Sequence, residues 1–143
     1  MKFFTLASVL FAAATALAAP SANTATVSYD QTYDNGSNSL DIVACSDGPN
    51  GLETKGYTTF GSLPGFPRIG GAFAVGGWNS AACGTCWQLT YNGKSINVLA
   101  VDHAGDDTFN IALAAMNQLT NNQAEFLGRV TVTYSQVDVS QCH

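Results

Sequence analysis

Four cysteines, Cys45, Cys83, Cys86 and Cys142, constrain this chain of 143 residues more than any other feature. An even set of cysteines in an exported chain implies a disulfide framework, whereas the same set in a reducing compartment points to metal or redox chemistry. The compartment is read from the start of the chain. Lys2 precedes an apolar run from Phe3 to Leu17 that closes in the small-residue pattern Ala16-Leu17-Ala18. That combination reads as a secretory signal peptide over residues 1–18, cut between Ala18 and Ala19. Residues 19–143 are then expected as one secreted domain, extracellular or wall-associated, with all its cysteines in an oxidising environment. Beyond Ala18 the chain turns to Pro20, Ser21 and Asn23 and shows no second long apolar run, so a membrane helix, which needs about 20 apolar residues, is not expected. Four cysteines allow three pairings. Cys83-Gly84-Thr85-Cys86 has redox spacing, but thioredoxin-type sites sit in a βαβ context that the flanking residues do not offer.

Charge narrows the partners. The chain carries ten Asp or Glu against five Lys or Arg, for a formal net charge of −5, and loss of the leader removes Lys2. The remaining cations, Lys55, Arg68, Lys94 and Arg129, are scattered along the sequence. Nucleic acid and anionic membrane surfaces are bound chiefly through clustered Lys and Arg, so neither is expected as a partner. Charged residues make up only 10% of the chain, which leaves a neutral polar surface suited to a neutral sugar polymer.

Periodicity predicts a mainly β chain with small helices. Thr24 to Tyr29 alternates as a strand, and Leu40 to Cys45 is a short apolar run. Trp87 to Tyr91 leads through Asn92-Gly93 into Ser95 to Val101, and Asn-Gly supplies the positive φ angles of a two-residue type I′ hairpin. Val130, Val132 and Tyr134 alternate in a final strand reaching toward Val139. Ile111, Ala115 and Leu119 at helical spacing predict one helix within Phe109 to Leu119. A second is expected over Asn122 to Leu127, with Gly128 ending it in the left-handed conformation. The glycine-rich stretch from Gly48 to Ala82, which contains Pro64-Gly65-Phe66-Pro67, is expected to be an ordered loop region.

Several motifs in fixed order carry a resemblance. Val43-Ala44-Cys45-Ser46, Leu63-Pro64-Gly65-Phe66-Pro67, Gly70-Gly71, Gly77-Trp78, Cys83-Gly84-Thr85-Cys86-Trp87, Ala100-Val101-Asp102, Phe109-Asn110 and Gln136-Val137-Asp138 run through nearly the whole chain after the leader. Together they resemble the cerato-platanin family of small secreted fungal proteins. The resemblance implies a six-stranded double-ψ β-barrel related in fold to expansins, stapled by the bridges Cys45–Cys83 and Cys86–Cys142. It also implies a non-catalytic protein that binds chitin oligomers or wall glucan, loosens cellulose without cutting it and elicits host defence, with several members known as allergens. The implied partners are cell-wall polysaccharide or its oligomers and a host receptor, with the protein acting as a monomer.

Asp102 is the residue of most chemical interest, since it follows the apolar strand Asn97 to Val101 and matches the family's aspartate needed for wall loosening. The competing reading is a turn aspartate bonded to its own backbone. Hydrolysis would require a second carboxylate roughly 6.5–9.5 Å from the first. Asp30 is the best candidate for it, followed by Asp106, Asp107 and Asp47, and a weak inverting glycoside hydrolase with Asp102 as acid is the alternative function. Self-assembly at interfaces is another, though hydrophobins carry eight cysteines where this chain has four. Sugars are recognised by flat rings beside hydrogen-bonding groups, so Tyr29, Asp30, Asn110, Asp102 and Trp78 are the expected carbohydrate contacts, with Tyr33 also available. Trp87, beside Cys86 in a strand, is expected in the core, and His103 is assigned no role. His103 and His143 lie far apart, so no metal site is expected, and no cofactor motif is present. Asn35-Gly36-Ser37 is an N-glycosylation sequon.

Overall fold

The alternation over Thr24–Tyr29 produces a strand, β1, whose Val27 is fully buried. It is joined by β2 (Ile69–Ala72), β3 (Cys86–Tyr91), β4 (Lys94–His103), β5 (Thr108–Ile111) and β6 (Arg129–Val137). The computed structural model describes residues 8–10, 12 and 23–143. The expected leader therefore lies mostly, and its cleavage point wholly, outside the described residues.

The six strands close into a barrel in the order β1-β5-β2-β4-β3-β6. The pairs β1–β5 and β2–β4 are parallel, and the other four are antiparallel. This is the mixed six-stranded double-ψ barrel that the motifs implied. The β3–β4 hairpin turns at Asn92 and Gly93, with φ of 47° and 77° as a type I′ turn requires. Trp87 is buried as expected and meets Phe73, Phe109 and Tyr134 with ring centroids 5.8 to 5.9 Å from its own. Its indole N–H donates to Thr85 Oγ1 at 2.8 Å, so the ring is buried with its polar atom satisfied. Both implied bridges are present, Cys45–Cys83 and Cys86–Cys142, with separations of 38 and 56 residues. Each removes loop-closure entropy from the unfolded chain worth up to about 4 kcal/mol.

Several local expectations need correction. The Gly48 to Ala82 region is not loop throughout, because Ile69-Gly70-Gly71-Ala72 forms β2, buried along its whole length between β4 and β5. Glycine is required there: a Cβ on Gly70 would stand 2.4 Å from the Asn110 carbonyl oxygen, and one on Gly71 would stand 2.7 Å from that of His103. The helix predicted within Phe109 to Leu119 begins late, as α1 (Leu113–Thr120), because Phe109 and Ile111 bury alternately as part of β5. The second helix, α2, is confined to Ala124–Leu127. Gly128 has the expected positive φ of 68°, but its ψ of −50° lies outside the left-handed basin, which Asn121 occupies instead at the end of α1. The final strand stops at Val137, and Val139–Cys142 forms a 3-10 turn that brings Cys142 to Cys86.

The start of α1 is capped from a distance. Ala112, at its N-cap position, has no side chain to satisfy the free amides. The Asp34 carboxylate supplies the acceptors, taking Leu113 N–H at 2.7 Å and Ala114 N–H at 2.8 Å. Loss of a helix cap costs about 0.5–2 kcal/mol. Asp34→Ala should therefore lower unfolding free energy by about that amount in urea titrations, with Asp34→Asn recovering part of it; an Ala variant as stable as the parent would show the cap to be idle.

Candidate functional site

Strand register sets four residues in line across four neighbouring strands. Asp102 on β4 pairs with Gly71 on β2, Gly71 with Asn110 on β5, and Asn110 with Ser28 on β1. Ser28 Oγ donates to Asn110 Oδ1 at 3.0 Å, which fixes the amide. Gly71 places no side chain between Asn110 and Asp102. The result is a row of half-buried polar groups interrupted by bare backbone.

Asp102 does not sit beyond the strand end as the sequence suggested. It lies within β4, just after a register shift opposite Gly70 and Gly71, and its carboxylate is held on both oxygens. Oδ1 accepts the amides of Ala44 at 3.0 Å and His103 at 2.9 Å, and Oδ2 accepts the Tyr33 hydroxyl at 2.8 Å. One of those donors belongs to its own neighbour, as in a turn aspartate, but the other two come from segments 58 and 69 residues away. The Ala44 strip is itself fixed, because Cys45 N–H donates to the Val101 carbonyl at 3.1 Å and Cys45 is bridged to Cys83.

Tyr33 is the residue whose importance the sequence understated. It is buried, packs against Phe60 with ring centroids 6.0 Å apart, and presents its hydroxyl to Asp102. Burial pushes its ionisation far above the usual tyrosine range, and the Asp102 charge, the hydrogen bond to Asp102 and the Asp30 charge push the same way. These causes hold the Tyr33 hydroxyl in its protonated, donating form. Asp30 itself is exposed and accepts Thr32 N–H at 2.8 Å, capping the turn Gln31–Asp34 that carries Tyr33.

The other expected contacts are dispersed. Tyr29 packs partly against the core, on the opposite face of β1 from Ser28. Trp78 is 62% exposed, with its indole N–H donating to Asp47 Oδ1 at 2.6 Å, and no hydrogen bond among the described residues joins it to Asp102 or Asn110. His103, assigned no role from sequence, donates from Nδ1 to the Val75 carbonyl at 2.6 Å and so ties the end of β4 to the loop leading to Trp78. Asn35 is exposed, and its side chain bonds Ser37 N–H and Asn38. Among the described residues no group of three or more His, Cys, Asp or Glu could hold a metal, and no helix is long and apolar enough to cross a membrane.

A closed double-ψ barrel with two staples and a pinned aspartate beside a glycine gap defines a small, disulfide-bonded barrel domain. The cerato-platanin family model matches residues 25–143, and this chain belongs to the cerato-platanin family. It is 49% identical over 150 residues to the allergen Asp f 15 of Aspergillus fumigatus, covering 99% of this chain and 97% of that protein. Cerato-platanin 1 from M. perniciosa superposes with a TM-score of 0.80 at 49% identity, over 83% of this chain and 99% of that structure. The fungal elicitor cerato-platanin superposes with a TM-score of 0.73 at 44% identity, over 82% of this chain and 95% of that structure. An expansin from Clavibacter michiganensis shares the fold, with a TM-score of 0.57 at 15% identity over 82% of this chain and 51% of its own length.

The Tyr33 environment predicts an alkaline signature. The folded state keeps the phenol protonated, while the unfolded chain ionises it near pH 10. Its contribution to stability is therefore complete below about pH 10 and falls as pH rises above that. Tyr33→Phe should lose about 1–3 kcal/mol by leaving a carboxylate oxygen without its donor. Below the alkaline unfolding transition its tyrosinate absorbance should equal that of the parent, since Tyr33 contributes none; an amplitude smaller by one tyrosine would place Tyr33 among the titrating groups.

Proposed function

We propose that this protein is secreted as a domain of residues 19–143 and binds neutral cell-wall polysaccharide or its oligomers without cleaving them. The observation that carries this reading is the row Ser28, Asn110, Gly71 and Asp102. It offers fixed acceptors and a hydroxyl across a strip where bare glycine backbone allows a sugar ring to lie close. Pre-set acceptors cost little ordering entropy when sugar hydroxyls bind. Trp78, held through its indole nitrogen with much of the ring open, supplies the kind of flat apolar surface that a pyranose face covers.

A binding role suits the carboxylates better than hydrolysis. A general acid must carry a proton on an oxygen facing the glycosidic bond, and both Asp102 oxygens already accept bonds from the protein. Asp30, the best second carboxylate, is engaged as a turn cap. Loosening of wall glucan would follow from competition for hydroxyl partners between polymer chains, a step that needs no bond cleavage. Family membership, with one structural relative named a fungal elicitor and a sequence relative named an allergen, supports display to a host and recognition by a host receptor as the biological outcome.

Retention on insoluble chitin and cellulose, paired with a reducing-sugar assay on the same material, tests this function. Retention without sugar release is expected; steady release of soluble oligosaccharide would overturn the non-catalytic reading, and failure to bind either polymer would overturn the binding reading. Asp102→Asn keeps an acceptor for the two amides but removes the charge. It should remain folded and lose about tenfold in oligosaccharide affinity, equivalent to about 1.4 kcal/mol, a size that one hydrogen bond to a charged group supplies. Unchanged binding by the folded variant would remove Asp102 from the site.

A further inference from the structure

Two of the few cations in this acidic chain converge on one cavity. A depression of about 420 Å³ is lined by Arg68, Lys94, Ser95, Ile96, Asn97, Gln118 and Gln141, and no acidic side chain lines it. It shares no residue with the row through Asp102. Its volume falls within the range of about 300–1,000 Å³ usual for small-ligand sites.

The fold assembles this cavity from four separate segments. Lys94 and Ser95 follow the type I′ turn at the start of β4. Arg68 is held alongside, because its carbonyl accepts Leu99 N–H at 3.0 Å just before β2 pairs in parallel with β4. Gln118 comes from α1, and Gln141 from the terminal turn that the Cys86–Cys142 bridge anchors. Lys94 Nζ donates to Asn121 Oδ1 at 3.2 Å at the end of α1, a contact it exchanges for a ligand carboxylate on turning toward the cavity. Asn97 Nδ2 donates to the Gln141 carbonyl at 3.2 Å, while the buried Asn97 Oδ1 has no donor among the described residues.

We propose that this cavity binds a carboxylated saccharide, the uronate unit of an acidic oligosaccharide. Arg68 and Lys94 take the carboxylate, Arg68 through its planar fork. Ser95, Gln118 and Gln141 take ring hydroxyls. The lining favours this class over a bare anion, which would engage the two cations but leave the Ser95 hydroxyl and the Gln118 and Gln141 amides without ligand partners. It also selects it over an acidic peptide, since Ile96 is the only apolar side chain among the lining residues. The site is independent of the neutral-polymer site, so each can fail without the other.

Titration calorimetry of the full secreted protein with trigalacturonate tests the proposal, with its methyl ester and sodium sulfate at matched ionic strength as controls. Binding is expected for the free acid, weakened at least about tenfold by Arg68→Gln, by Lys94→Gln and by esterification, and falling with salt. Lys94 is exposed at a hairpin end, so its variant reads the site without disturbing the fold. Asp102→Asn should bind trigalacturonate as the parent does, and the two cation variants should keep any retention on chitin. No binding of trigalacturonate, binding indifferent to both cation substitutions, or equal affinity for sulfate would each overturn the assignment.

Discussion

Closure of the barrel depends on how near three backbones can come at Gly70 and Gly71. Strand β2 is only four residues long, yet it joins β4 on one side to β5 on the other. Any side chain at either glycine would meet a neighbouring carbonyl oxygen at a distance that Cβ atoms do not adopt. An alanine there would force the strands apart, and with them the two residues that Gly71 separates, Asp102 and Asn110. The steric condition that closes the sheet thus also spaces the polar row. Structure and site share one constraint.

A second level of support comes from outside the barrel. The strip at Ala44 and Cys45 lies against β4 because its amides bond the Asp102 carboxylate and the Val101 carbonyl, and the Cys45–Cys83 bridge holds it there. The turn carrying Tyr33 is capped by Asp30 at one end, and its Asp34 caps α1. Asp102 is therefore held by three donors from separate parts of the chain, each hydrogen bond to a charged group being worth about 1.5–3 kcal/mol. Such a carboxylate presents a fixed charge and fixed lone pairs, and a mobile surface aspartate would have to be ordered by its ligand.

Local chemistry made part of this legible in the sequence. Asn92-Gly93 marked the hairpin because positive φ at both positions is a local demand, and the alternation of Val130, Val132 and Tyr134 marked β6 because one face of that strand is buried. The bridges and the barrel were legible only through the family resemblance, since four cysteines alone leave the pairing open. β2 was hidden because Ile-Gly-Gly-Ala has little intrinsic preference for a strand; its glycines answer to backbones contributed by β4 and β5. β5 was hidden because Phe109 and Ile111 fit the run into the alanine-rich helix as well as they fit an alternating strand. Asp102 was singled out from its place at the end of an apolar run, but its bonds to Tyr33 and Ala44 were not foreseen, because contacts across 69 and 58 residues leave no local pattern. The same holds for Asp34, whose two bonds to α1 span 79 and 80 residues.

The pairing of β1 has a consequence for the order in which the molecule comes into being. Thr26 is matched with Thr108 on one side and Thr131 on the other, so the earliest strand to leave the ribosome has both of its neighbours near the far end of the message. It cannot be sheltered until β5 and β6 have been made, and the Cys86 bridge waits for Cys142. During synthesis β1 waits with its edges bare. A barrel wired this way closes late, because its first strand is completed only by pairing with β5 and β6.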